Sequence, residues 1–246
     1  MASKFFKERL ESKAIDFRAK CGLSSDEALN IESLLLYLNV ITIFKPLSSS
    51  ISGMAIKLSN SNEIKRFILI NSNHPIGRQN FTICHELYHL FIQTNFQFQM
   101  CDTGKFIKNG DFEEYNADHF ASYFLIPKNG IFKLIPEKEE NISLSTIIKI
   151  EQYFGCSRSA LLVRLEDLGV ISKETKEMYS KNVKLSAAKY GYDLGLYNPA
   201  HENQSIGDYG QLAKKLFDGE VISESYYATF MGDIGKNIFE FPQNDD

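Results

Sequence analysis

The chain has no tryptophan, which is only a bias among its aromatics, but its scarcity of cysteine, its lack of excess positive charge and its lack of a long apolar run each remove a class of protein. Cys21, Cys84, Cys101 and Cys156 are scattered and form no CxxC pair, which argues against a disulfide framework and for a reduced, intracellular chain. A formal net charge of −4 provides no bulk attraction to nucleic acid or to an anionic membrane. No apolar stretch reaches the roughly 18 residues of a membrane span. The opening residues up to Lys20 carry charges throughout and lack the apolar centre of a secretory signal, so the cytoplasm is the expected compartment. What remains is ordinary for a globular protein: 43% apolar and 24% charged residues over a length of 246, with nineteen Phe and twelve Tyr to fill a core.

Along the chain, residues 3–20 read as a charged helix, and a second helix is expected to start at a cap near Ser24 and Asp26. Three β-rich segments follow, at 39–45, 53–59 and 65–71, with an Asn/Ser turn at 59–63 between the last two. A helix is predicted over 78–93, a loop over 94–110, and another helix over 113–125 that Pro127 ends. Residues 143–171 read as two short helices joined by a turn at Gly155-Cys156-Ser157. Beyond Ser172 there is a Gly/Tyr/Asn-rich stretch at 190–210 and then a pair of helices.

The chemistry is concentrated in Phe81-Thr82-Ile83-Cys84-His85-Glu86-Leu87-Tyr88-His89-Leu90, which contains HExxH. Helical residues four apart share a face, so both imidazoles can reach one Zn²⁺ at about 2.0–2.1 Å. Glu86 lies one step round, near enough to take a proton from a water that the metal has acidified; this is the metallopeptidase arrangement. Apolar Ile83, Leu87, Leu90 and Phe91 bury the helix. Cys84 points about 100° away from the first histidine and reads as a small buried residue.

A catalytic zinc needs a third protein ligand and one open position. The metzincin spacing would require Gly at 92 and His at 95, and the chain has Ile92 and Asn95. A carboxylate on the later helix is the alternative. Glu114 has Asp118 four residues on, where it can accept a hydrogen bond from the distal nitrogen of a zinc histidine and fix its tautomer; Glu113 has only Ala117 there. The expected site is therefore His85, His89 and Glu114 on zinc, Glu86 as general base and Asp118 behind a histidine. His119 lies well round the helix and is not expected to be a ligand; His74 and His201 receive no role. Arg78, Tyr88, His119 and Tyr123 are all candidates for the group that stabilises developing negative charge.

Two blocks resemble the ImmA/IrrE-type metallopeptidases. The first is Ile70-Asn71, a short turn, and Arg78-Gln79-Asn80-Phe81-Thr82 leading into His85, Glu86 and His89; the second is Glu114-Tyr115-Asn116-Ala117-Asp118-His119-Phe120-Ala121 followed by Leu125-Ile126-Pro127. The likeness covers residues 15–130 well and 140–175 more loosely. One departure is Tyr88, where the family commonly has Gly; a bulky ring there should change packing near the site and narrow the cleft. The resemblance implies zinc at His85, His89 and Glu114, Glu86 as base, and cleavage of a helix-turn-helix repressor, encoded nearby, that controls mobile-element, phage or stress genes. A peptidase of this architecture takes its substrate as a strand along a sheet edge, and the strand at 53–58 is the candidate edge.

The expected fold class is α+β: a zincin-like metallopeptidase core over 1–135 with a small three-stranded antiparallel or mixed sheet and an active-site helix. A helix-turn-helix-like segment over 136–175 and a helical C-terminal extension over 176–246 follow. A DNA reader should present several basic or amide side chains from its second helix. Residues 143–171 offer Arg158 and Arg164 against Glu166 and Asp167, so packing or substrate docking is preferred to DNA binding. Two other readings stand beside the peptidase: a non-catalytic, zinc-stabilised regulatory or antitoxin-like binding module, and a DNA-binding regulator acting through residues 143–171.

Overall fold

A computed structural model describes residues 4–59, 63–101, 103 and 112–239. Helix α1 (Lys4–Lys20) is followed by α2 (Ile31–Tyr37), and then by strands β1 (Val40–Lys45), β2 (Gly53–Ser59) and β3 (Ile64–Asn71). The second helix begins later than expected, because Asn30 rather than Ser24 or Asp26 caps it, accepting from the Ser33 amide at 2.9 Å. The proposed turn at 59–63 falls largely outside the described residues. Helix α3 (Ile76–Phe91) carries HExxH, strand β4 (Phe98–Cys101) follows it, and α4 (Phe112–Leu125) carries Glu114.

The sheet has five strands, in the order β4-β2-β3-β1-β5, with β5 at Ser205–Ile206. Strands β1 and β3 are parallel and the other pairs antiparallel, so the sheet is mixed. The three-stranded expectation missed both outer strands: β4 lies in polar sequence read as a loop, and β5 is only two residues long. The candidate edge also changes. Strand β2 is paired on both sides, with Gly53 opposite Cys101 and Ile56 opposite Phe98, so β4 is the edge where β2 was expected to be.

Helix α3 packs on β2 and β3, α4 packs on α3, and α1 packs on α4. Apolar side chains from all these layers form one core, with Ile68, Ile70, Leu87, Leu90, Phe120 and Phe124 fully enclosed. Arg18 of α1 is buried among them, donating to the backbone carbonyls of Ser24, Glu27 and Phe124. One charged group thus ties α1 to the end of α4 and to the loop before α2, its donors filled as burial requires.

The same core continues into the segment after α4. A short helix α5 (Lys128–Leu134) leads to α6 (Leu144–Phe154) and α7 (Arg158–Asp167), joined by a turn in which Gly155 adopts the left-handed conformation. Ser143 and Ser157 cap the two helices by accepting from Thr146 and Ala160 amides. The turn does not face solvent. It sits on the first turn of α3: Cys156 is fully buried, and Asn80 donates to the Gly155 carbonyl at 2.8 Å. Arg158 and Arg164 are each 2% exposed; Arg158 is paired with buried Glu151 and Arg164 with Glu11 of α1. The two cations that a DNA reader would have used are spent inside the protein.

Four further helices follow: α8 (Lys173–Tyr179), α9 (Val183–Lys189), α10 (Tyr209–Asp218) and α11 (Glu224–Asp233). Between α9 and α10 the chain returns to the core. The Ile76 amide donates to Asn198, Gln79 reaches the Ala200 carbonyl at 3.0 Å, and β5 pairs with β1. The segment between α9 and α10 therefore supports the base of α3 and adds the outer strand beside β1. Among the described residues no helix is long and apolar enough to cross a membrane.

Gly77 is where α3 meets the α6–α7 turn. A Cβ there would lie 2.8 Å from the Ser157 nitrogen and 2.9 Å from the Cys156 carbonyl carbon, both backbone atoms that cannot rotate away. Gly77→Ala is expected to cost about 1–3 kcal/mol, lowering Tm by roughly 2–10 °C in a chain of this size. Gly232→Ala meets nothing within 4 Å and should leave Tm unchanged or slightly raised. Thermal denaturation of the two variants checks the contrast.

Candidate metal centre

Helix α3 is enclosed on every side, and its polar triplet is enclosed with it: His85, Glu86 and His89 are all fully buried. They are turned towards α4, and the packing of the two helices brings Glu114 to both imidazoles. His85 Nε2 is 3.1 Å from His89 Nε2, Glu114 Oε2 is 3.3 Å from His85 Nε2, and Glu114 Oε1 is 3.2 Å from His89 Nε2. Donor atoms about 2.0–2.1 Å from a tetrahedral ion lie about 3.3 Å from one another. The three predicted ligands are therefore brought together at spacings that could suit one metal ion, with a different Glu114 oxygen facing each histidine.

A fourth donor completes the group. Cys101 Sγ lies 3.3 Å from Glu114 Oε1, 3.6 Å from His89 Nε2 and 3.7 Å from Glu86 Oε2, and the donor atoms of His85, His89, Cys101 and Glu114 all fall within 4.8 Å. Sequence reasoning counted Cys101 among four scattered thiols and gave it no role. It follows His89 by twelve residues in polar sequence, with no spacing rule to mark it, and only the pairing of β4 with β2 carries it to the site.

The outer nitrogens of both histidines are held. His85 Nδ1 is 3.0 Å from Asp118 Oδ1, the contact expected one turn beyond Glu114, and His89 Nδ1 meets the Gln93 side-chain oxygen. Each pairing leaves the inward Nε2 free to bind a cation. Glu86 contributes a different kind of group. Its Oε1 is buried and has no hydrogen-bond partner among the described residues, a costly state that a water or substrate hydrogen would relieve. The backbone of β2 comes close enough to make this pocket tight: a Cβ on Gly53 would sit 2.9 Å from Glu86 Oε1 and 2.7 Å from Thr82 Cγ2.

Charge in the cluster is strongly coupled. Burial works against a charged His85, but its hydrogen bonds to Asp118 and Glu114 and the charge of Glu86 win, holding the ring up to about 10. Burial also opposes ionisation of Glu114, yet the bonds to His85 and His89 pull its carboxyl well below the usual range. Glu86 is pushed up to about 7 by burial, with the two histidines opposing the shift. Burial and the neighbouring carboxylates push the Cys101 thiol far up. A cation at this point would meet the same carboxylates that favour the charged form of His85.

The other candidates separate. Arg78 donates to Ser52 Oγ at 2.9 Å, beside the strand that carries Cys101. Tyr88 is buried between α3 and α4, its hydroxyl donating to Glu113 at 2.5 Å and its ring against Phe120 and the edge of His89. It packs against His89 and bonds the residue before Glu114, where a narrowing of the cleft was expected. His119 and Tyr123 are hydrogen-bonded to each other on a different face of α4, where Asp167 and Arg164 of α7 meet them. His74 is buried near the turn before α3, and His201 pairs with Gln79.

Nitrogen and oxygen donors on two facing helices and a sulfur donor on β4 form a cluster that could hold a metal ion, in an α+β domain that carries HExxH. The chain belongs to the peptidase family M78, the IrrE N-terminal-like domain, whose profile matches residues 37–166. The match takes in all four donors, Glu86 and Asp118, and it extends through α6 into α7. No curated protein matches the chain.

Two measurements follow from this geometry. Asp118→Asn should keep the fold but weaken zinc affinity about 10–100-fold, read by competition with a chromophoric chelator. His119 is held down to about 4, mainly by burial, from 6.5. The folded chain keeps its ring neutral, so the stability it contributes is complete above about 6.5 and is lost as pH falls towards 4, where the unfolded chain binds the extra proton first. His119→Gln should flatten the loss of stability between pH 6.5 and 4 by an amount on the order of 2–3 kcal/mol, measured by urea denaturation at each pH.

Proposed function

We propose that this chain is a zinc-dependent endopeptidase in which His85, His89 and Glu114 hold the ion and Glu86 is the general base. The observation that carries the reading is the set of donor spacings, 3.1–3.3 Å between the three ligands, with an unpartnered Glu86 oxygen buried beside them. Bound there, a divalent ion supplies Lewis acidity that makes water a nucleophile at neutral pH and polarises a carbonyl. Glu86 Oε1, buried beside the three ligands, is placed to take the water's proton and pass it to the departing amine. Asp118 and Gln93 keep the two imidazoles in the tautomer that directs Nε2 inward. Arg78, fixed by Ser52 at the outer end of the sheet, is the group assigned to orienting the substrate chain.

The substrate is proposed to be a single protein partner in the cytoplasm, a helix-turn-helix repressor encoded nearby, in keeping with the family resemblance. The α6–α7 segment has a packing role in this account, since both its arginines are buried in ion pairs.

One observation favours a second reading. Structural zinc sites are four-coordinate and use cysteine, and Cys101 is close enough to make this one so; the chain would then be a non-catalytic, zinc-stabilised binding module. Glu86 separates the two. Glu86→Gln should retain about one zinc per chain and lose cleavage of the neighbouring repressor by a factor on the order of 10²–10⁴. A variant that keeps full biological activity, or a repressor that wild type binds and leaves intact, supports the binding module instead, while a variant that still cleaves at the wild-type rate overturns Glu86 as the base.

A further inference from the structure

We propose that Cys101 is a fourth ligand of the metal and that β4 holds the centre in a closed, latent form, lying where a substrate strand must lie. The proposal rests on the metal site described above and concerns its regulation.

Three observations converge. The first is spacing. A sulfur at about 2.3 Å and a nitrogen or oxygen at about 2.0–2.1 Å from one tetrahedral ion lie about 3.5–3.6 Å apart, and Cys101 Sγ is 3.3 Å from Glu114 Oε1 and 3.6 Å from His89 Nε2. The second is convergence. Cys101, His85 and His89 are buried, Glu114 is partly exposed, and one donor atom from each lies within 4.8 Å of the others. The third is the built position of the strand. Cys101 pairs with Gly53, its carbonyl accepts from the Ser52 amide at 2.9 Å, and the Thr103 amide donates to Ser52 Oγ at 3.2 Å. The Thr103 and Thr82 hydroxyls are 3.0 Å apart, which ties this segment to α3 itself.

Four protein donors leave no coordination position for water, so this arrangement is at rest. Strand β4 is also an antiparallel neighbour on the outer side of β2, which is how an extended peptide joins a sheet edge. Removing β4 opens both things that cleavage needs, the fourth position and the edge of β2. Binding of the Cys101 thiol releases one proton, its replacement by water restores that proton to sulfur, and nothing is oxidised or reduced.

The test uses the full chain loaded with Co²⁺. Wild type should show a sulfur-to-cobalt charge-transfer band in the near ultraviolet, and Cys101→Ser should keep about one cobalt per chain and lose the band; Cys101→Ala repeats the comparison if serine disturbs the fold. Hydrogen exchange in the same samples reads the strand. The Ser52 and Lys57 amides, which donate to the Cys101 and Gln97 carbonyls, should exchange at least tenfold faster in the variants. One cobalt bound by wild type without the band overturns the ligand assignment and leaves the three-ligand site standing. Exchange that does not change overturns the latch. Failure of every protein to bind cobalt overturns the metal site and this inference with it.

Discussion

The packing of α3 against α4 is the contact on which the site depends. HExxH supplies two imidazoles on one helical face, but they become a candidate metal site only because α4 presents Glu114 to both of them and Asp118 to the far side of one. The contact is made by apolar and aromatic side chains on both helices, with Tyr88 against Phe120 and its hydroxyl on Glu113. Full burial of His85, Glu86 and His89 in such an interface is expensive for ionisable groups unless each is paired. The donor geometry supplies the pairing: three groups converge on one point and two are held from behind by Asp118 and Gln93. A single cation at that point would complete the balance.

The rest of the chain fixes where α3 can sit. Gly53 lets β2 approach Glu86 and Thr82, and Gly77 lets the α6–α7 turn rest on the helix start. Asn71, at the end of β3, donates to the Ser48 and Ile51 carbonyls and accepts from the Leu47 and Asn73 amides, shaping the loop that leads to Ser52. Ser52 then joins Arg78, Cys101 and Thr103. The helix-turn-helix-like segment is part of this support, with Arg158 and Arg164 as buried struts and no cationic face built from them.

Much of this was legible in the sequence where a short-range rule applies. The i, i+4 spacing of His85 and His89, and of Glu114 and Asp118, follows from helical periodicity, and the three inner strands follow from β-branched alternation. The features that were not legible depend on tertiary pairing. Strand β4 lies in polar sequence and is held by β2 rather than by its own propensity, so neither the true edge nor the place of Cys101 has a local signature. Strand β5 is too short to carry a pattern. The fates of Arg158 and Arg164 turn on Glu151 and Glu11, one of them on a helix more than a hundred residues away. Tyr88 reads as a departure near the cleft, and only the facing helix shows that it belongs to the interface.

The central proposal is that α3 and α4 together form a metal site coupled to the fold. A ligand that binds the folded chain alone raises its stability by mass action. The direct measurement is the Tm of metal-free protein before and after one equivalent of Zn²⁺, in wild type and in His89→Ala. The account predicts a rise of several degrees in wild type and little or none in the variant. No rise in wild type, or the same rise in both, would contradict it.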